Sequence, residues 1–394
     1  MVLLIGKLQK KTSTFTAVSG EGYFVDTSGG AVTMNLPSSP SAGNIVAVKD
    51  YSGDFSTNNL TIGRGGSPIN GGSAADVTIN TKGASLVLVY VDGTQGWVAT
   101  QDDESSFSGE TYMVASGGNT IATCGNCKIH TFTSPGTFTV SSIASTASNN
   151  IVSYMVVAGG GGGGAVASGS YAAGGGGAGG FRELKNPVTP YTASPLDGYP
   201  SSPNRITVTA TGFPITVGAG GTAGPPNSGT DTGGSGANSI FSTITSAGGG
   251  GGGAGASPGS NGVNGGSGGG AGSSPSSKTG GSGNTPPTTP AQGFDGGDSS
   301  GGHQPAAGGG GATTVGTDST PGSGNPRAGG TGATTSITNS AVVYASGGPS
   351  GNHPGNPNSG GTATTGNGGG GGGGNGGTSG AGGSGIVIIR YKYQ

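Results

Sequence analysis

The chain has 394 residues, 96 of them glycine and 23 proline, a combined share that places much of it in low-complexity territory. Charged residues make up 8% and the formal net charge is −2, which leaves no basic stripe for phosphates and no polybasic patch for anionic lipid. No nucleic-acid partner and no membrane insertion are therefore expected, and no stretch approaches the roughly 20 apolar residues that span a bilayer.

The opening Met1-Val-Leu-Leu-Ile-Gly-Lys7 has no positive flank and no cleavage site, so it is not read as a signal peptide, and synthesis in a cytoplasm is expected. Residues 19–101 then alternate short β-type runs with turn residues: 22–26, 31–36, 44–49, 59–62, 75–79, 85–91 and 96–100. Asp92-Gly93 marks a tight hairpin between the last two. Such spacing predicts an all-β domain, a β-sandwich or a small barrel. Acidic and serine-rich residues 102–110 read as a linker.

Residues 111–158 carry further strands at 111–115, 128–133, 136–140 and 154–157. Within them, Cys124-Gly-Asn-Cys127 precedes His130. As a structural feature, Gly125-Asn126 turns a hairpin whose cysteines close a small disulfide or stay reduced. As a metal site the group is short of ligands, which only symmetry mates in an oligomer could supply; a redox role is the remaining alternative. The hairpin reading is preferred, and no metal and no cofactor are expected.

Five uninterrupted glycine runs follow, at 159–164, 174–177, 248–253, 308–311 and 368–374. They lie between two strongly β-forming segments, 151–157 and 386–393. Polyglycine loses more backbone entropy on ordering than any other sequence, so it needs a clamp, and the two apolar segments are the candidates. Glycine and proline both populate the polyproline II helix, with three residues per turn and a rise of about 3.1 Å. Without Cβ atoms such rods can pack closely through backbone hydrogen bonds and Cα–H contacts. Residues 159–385 are therefore expected to form a domain of packed polyglycine helices, closed by a strand over 386–394, with the Ser-, Thr-, Asn- and Pro-rich segments as loops.

Catalytic motifs carry little weight in this composition. Patterns such as Gly265-Gly-Ser-Gly-Gly269 arise by chance, Ser277 stands where a phosphate loop needs glycine before Lys278, and of the three histidines, His130, His303 and His353, the later two lack a nucleophile-and-carboxylate setting. No enzyme is expected. For binding, Tyr171, Tyr191, Tyr199, Phe294, His303, Arg327, Tyr344 and His353 stand out among small neighbours. Large aromatic faces and guanidinium groups dominate recognition surfaces and suit sugars, whereas Tyr191, Tyr199 and Tyr344 could equally cover apolar flanks of the scaffold.

The segments 154–164, 174–181, 215–221, 239–248 and 385–391 resemble the glycine-rich domain of bacteriophage tail-fibre and adhesin proteins. Segments 36–43, 58–64, 88–92 and 97–98 are similar to a β domain of tailed-phage structural proteins, especially those of marine cyanobacteria. The resemblance implies a non-enzymatic virion protein, a tail-fibre or adhesin component whose loops bind a host-surface polysaccharide or outer-membrane protein. It also implies attachment to other virion proteins through residues 1–18. Side-by-side β domains bury more area than one small monomer can, so a homotrimer is expected. The alternative is a capsid-decorating or head-fibre protein; irregular threonine spacing disfavours an ice-binding surface.

Overall fold

The computed structural model describes residues 7–71, 76–102, 112–166, 171–226, 231–302, 306–320, 326–351 and 378–393. Among these residues the fold is all-β apart from two short 3-10 turns, and it forms two compact units that part between Tyr112 and Met113, with Ala144–Ala147 belonging to the first. Among the described residues no helix is long and apolar enough to cross a membrane.

The first unit holds β1 (Lys7–Lys11), β2 (Phe15–Thr16), β3 (Glu21–Val25), β4 (Val32–Asn35), β5 (Ile45–Asp50), β6 (Leu60–Gly63), β7 (Val77–Ile79), β8 (Ser85–Tyr90) and β9 (Trp97–Asp102). Through β6 the chain alternates between two sheets: β1, β3 and β5 pair in parallel in one, β2, β4 and β6 in parallel in the other. The strands β7, β8 and β9 then close the two sheets in antiparallel fashion. The result is two faced sheets reached by coiling, not a closed barrel and not a stack of hairpins. Alternating residues such as Met34, Leu60, Ile62, Val46 and Leu88 meet with Phe55 and Trp97 in one shared core. The expected hairpin joins β8 to β9, but Gly96, not Gly93, takes the left-handed φ of +68°. A Cβ at Gly96 would lie 1.8 Å from the Pro68 carbonyl oxygen, so only glycine fits.

The second unit contributes β10 (Val114–Ser116), β11 (Thr120–Cys124), β12 (Cys127–Phe132), β13 (Gly136–Ser142), β14 (Ser153–Val157), β15 (Phe181–Leu184), β16 (Gly212–Thr216), β17 (Ser239–Phe241), β18 (Ile244–Ser246), β19 (Ala333–Thr335), β20 (Val342–Tyr344) and β21 (Ile386–Lys392). Two five-stranded antiparallel sheets run β10-β13-β16-β17-β18 and β11-β12-β21-β14-β15, and β19 pairs with β20. Phe138, Ile215 and Phe241 from the first sheet meet Phe132, Tyr154, Val387, Ile389 and Tyr391 from the second. On the outer side of the second sheet Ile129, Met155, Phe181 and Ile388 pack against Ala312, Ala333 and Ile337. The closing strand β21 lies in the middle of its sheet, between β12 and β14, as the clamp reading requires. Its Arg390 is buried, donating to the carbonyls of Ile337 at 3.0 Å and Pro190 at 2.8 Å, which ties those turns to the strand.

The glycine runs continue these strands. Residues 158–165 prolong β14, and their amides donate in a cycle of three: 158, 161 and 164 to the stretch leading into β15, 159, 162 and 165 to the stretch leading into β17, and 160 and 163 to the stretch leading into β21. Their carbonyls in turn accept from amides of the extensions that leave β16 and β18, for example Gly160 from Gly221 and Gly162 from Gly252. A partner change every residue with return every third is the symmetry of a helix with three residues per turn. In β14 each peptide group bonds in the sheet plane; one residue past its end, the bonds point around the whole rod and reach both layers of the sandwich.

Contact between neighbouring rods, both within a layer and between layers, is closer than any side chain permits. A Cβ at Gly161 would lie 2.1 Å from the carbonyl oxygen of Gly250, at Gly176 2.1 Å from that of Gly161, and at Gly252 2.0 Å from that of Gly174. The Cα–H groups therefore face carbonyl oxygens directly. The runs at 159–164, 174–177, 248–253 and 308–311 are all buried; the run at 368–374 lies outside the described residues.

Replacing Gly161 by Ala should lower stability by about 1–3 kcal/mol or more, because the obstructing atoms are backbone that cannot swing aside. Gly136→Ala should change it by no more than about 0.5 kcal/mol, since a Cβ there meets only the Phe132 ring at 3.4 Å. Calorimetric melting of the two variants beside the unmodified chain checks the contrast, and equal melting temperatures would refute close packing of the rods.

Candidate functional site at the polar flank of the glycine scaffold

A rod with amides pointing in three directions needs acceptors on every side, and rods at the flank lack a neighbour on one of them. Asparagine and aspartate side chains fill that role. Asn261 Oδ1 accepts from the Thr279 amide at 3.1 Å and Asn264 Oδ1 from that of Ser282 at 2.7 Å. Asp295 and Asp298 do the same for the amides of Gly283 at 2.7 Å and Gly280 at 2.8 Å. Each pair is three residues apart, one turn of the rod, so both side chains leave on the same face. The stretches 260–266, 278–283, 294–299 and 314–319 thus form a laterally linked, side-chain-bearing flank, with Asp318 Oδ1 accepting from the Asp298 amide at 2.8 Å.

The segment from residue 185 to 204 is equally fixed. Asp197 Oδ1 accepts from the amides of Lys185 at 2.9 Å and Tyr199 at 3.0 Å, and Asn204 Nδ2 donates to the Thr289 carbonyl at 2.9 Å. Asn204 Oδ1 takes a bond from Arg182 Nη2 at 2.7 Å. Beneath it the buried Glu183 carboxyl accepts from the Ser194 amide at 2.8 Å and from the Thr335 hydroxyl. Burial raises the pKa of Glu183 above the usual carboxylate range, with the bonds from Ser194 and Thr335 opposing the rise.

Three of the aromatic residues singled out for recognition are fastened to the scaffold. Tyr191 packs against the outer apolar cluster with its ring 5.2 Å from the Arg390 guanidinium, and burial raises its hydroxyl pKa. Tyr344, in β20, packs on the same cluster. Tyr199 packs on the inter-sheet core and carries the Arg205 guanidinium 4.4 Å above its ring. Phe294 sits in the flank, its amide and carbonyl bonded to Gly311 and Gly268. The Arg327 amide donates to Ser350 Oγ at 2.9 Å and its guanidinium reaches the Thr320 carbonyl at 3.3 Å. Tyr171 is half-buried beside the stretch leading into β15. No single patch gathers the six described ones, and His303 and His353 lie outside the described residues.

The cysteine pair forms the expected hairpin: Cys124 and Cys127 oppose each other across the β11–β12 turn, with Gly125 at φ +54°, and both thiols are free. Strand alternation removes His130 from any shared metal site. Cys127 and Ile129 lie on one face of β12, His130 and Phe132 on the other. His130 is fully buried, its Nδ1 donating to the Gly117 carbonyl at 2.6 Å and its Nε2 3.3 Å from the Tyr391 hydroxyl. Burial depresses its pKa, so the imidazole is neutral near pH 7. Among the described residues no group of three or more His, Cys, Asp or Glu could hold a metal ion. Composition-based reading passed over Glu183, Arg390, Asp298 and Asp318, although the Asx spacing of three is present in the sequence.

Alkylation with iodoacetamide near neutral pH should modify the half-exposed Cys124 before Cys127, whose thiol is buried and raised in pKa. Denatured protein purified without reductant should titrate with two thiols per chain, and a stoichiometric zinc or iron content by mass spectrometry would contradict this account.

No curated protein matches the chain. Residues 133–392, from just after β12 through β21, match the family described as the glycine-rich domain, a span that takes in β13 to β21 and the rods between them. The chain belongs to that glycine-rich domain family.

Proposed function

We propose that the chain is a non-enzymatic virion protein of a tailed phage. In this reading it is a tail-fibre or adhesin component that presents loops on its glycine scaffold to a host receptor, a surface polysaccharide or an outer-membrane protein. It joins other virion proteins through its N-terminal region and acts as a homotrimer without a cofactor. The observation that carries the reading is the division of labour in the second unit: buried glycine backbone makes the frame, and side chains capable of recognition are carried by the segments between rods and by the rods of the flank. Those segments are pinned by Asp197, Asn204 and the Asx ladder, so binding would freeze few degrees of freedom.

The purified chain should bind intact host cells and slow phage adsorption in proportion to its concentration, and exchanging residues 182–204 or 279–305 with those of a related phage should change the host range. Unchanged adsorption after both exchanges would count against loop-borne specificity. Immuno-electron microscopy with an antibody to the C-terminal half should label the tail; label spread over the shell would favour a capsid-decorating or head-fibre protein instead.

A further inference from the structure

On the flank of the rod array, residues 277–279, 298–300 and 318–319 line a polar groove of about 500 Å³, including space open to solvent. Its floor is held by backbone. Lys278 and Ser299 exchange both amide-to-carbonyl bonds, at 2.9 and 2.8 Å, and the Ser319 amide donates to the Asp298 carbonyl at 2.8 Å. Side chains lock the walls: Ser300 donates its amide to Ser319 Oγ at 3.0 Å, and Ser277 Oγ donates to the Ser300 carbonyl at 3.1 Å.

Two features of the groove are left over once the scaffold is accounted for. Ser299 is 1% exposed, and its hydroxyl has no hydrogen-bond partner among the described residues. An unmade bond at a buried hydroxyl costs about 1–3 kcal/mol, a cost the scaffold does not recover from its own groups. Second, the Asp298 and Asp318 carboxylates are exposed and use Oδ1 for one backbone amide each. A carboxylate offers about four acceptor positions, so both keep capacity.

We propose that this groove is a binding subsite for the hydroxyl groups of a neutral glycan. The inference rests on the adhesin reading and names the ligand class for one place on it. Sugar hydroxyls donate and accept at once, which matches two carboxylates that only accept, an ammonium that only donates, and serine hydroxyls that do either. An anionic ligand would meet the two carboxylates at close range. A metal ion would find only two carboxylates beside a repelling ammonium, and among the described residues no third His, Cys, Asp or Glu joins them. No aromatic side chain lines the groove, so each copy binds weakly and several copies on one particle supply avidity.

The test uses the full chain, fluorescently labelled, on an array of neutral hexose and N-acetylhexosamine oligosaccharides alongside sialylated and sulfated ones. The double variant Asp298→Asn with Asp318→Asn keeps an oxygen for each amide and removes both charges; Ser299→Ala and Lys278→Ala serve as single variants should the double one melt early. Retention on neutral oligosaccharides, insensitive to EDTA and reduced at least tenfold in the double variant or in both single ones, is expected. Retention unchanged by the substitutions, confined to charged glycans, abolished by EDTA, or absent altogether overturns the subsite. Binding of the same proteins to host cells separates the two levels of the argument. Variants that hold cells as well as the unmodified chain sink the groove and spare the adhesin reading, whereas an unmodified chain that holds no cells sinks the reading itself.

Discussion

The second unit depends on one negative fact: at the packed glycines there is no room for a Cβ. Within β14, β15 and β21 the two layers of the sandwich are kept apart by the side chains of Tyr154, Val156, Leu184, Val387, Ile389 and Tyr391. Face-to-face sheets with such fillings stand about 10 Å apart. Where the side chains stop, the layers close up until Cα–H groups meet carbonyl oxygens. A sandwich with an oily core passes into a bundle with a peptide core, and the strand order carries across unchanged. That is why 158–165 finds the extensions of β15 and β21 beside it, just as β14 finds those strands.

The energetics of this arrangement are evenly matched within a rod. Fixing a residue's backbone costs about 1–2 kcal/mol, while one amide bond returns about 0.5–1.5 kcal/mol and a Cα–H contact about 0.5–1 kcal/mol. Rods alone therefore gain little, and the net stability has to come from elsewhere. Its source is the pair of apolar clusters at the strand ends, where β21 lies centrally and Arg390 fastens two turns from inside. Isolated glycine runs would be slack; runs whose two ends belong to one sheet lose much of their freedom before they pack.

Much of this was legible from residue pattern. The alternation of apolar and polar residues located most strands of the first unit, and the β-branched segments flanking the glycine runs marked the clamp. Strands β1 and β2 escaped notice because Lys7–Lys11 is largely charged and exposed and Phe15–Thr16 is too short to show a period. The coiling of the first unit was hidden for a different reason. Parallel partners such as β3 and β5 are joined by the intervening β4, so no turn motif records the pairing. Tyrosine is ambiguous in a polar segment: Tyr191, Tyr199 and Tyr344 have the same neighbours in sequence whether their rings face solvent or, as here, lie on apolar clusters. The flank was readable in principle, since Asn261 with Asn264 and Asp295 with Asp298 repeat at the period of the rod, a period that helix and strand templates do not include.

Edge control and recognition coincide in this architecture. A β-sheet edge exposes alternate peptide groups along one line, whereas a rod at the flank exposes a peptide group once per turn and can be finished by a single Asx side chain from its neighbour. The finishing residue is polar, placed at a fixed rise, and has acceptor capacity to spare when it is aspartate. Adding a rod to the array therefore adds a row of polar groups whose spacing is set by backbone geometry and whose charge is free to vary, because asparagine and aspartate both supply the oxygen that the neighbouring amide needs. Exchanges between asparagine and aspartate at 261, 264, 295, 298 and 318 alter the charge that faces solvent while each capped amide keeps its oxygen. A surface of this kind can change its charge without removing the acceptors that finish its rods.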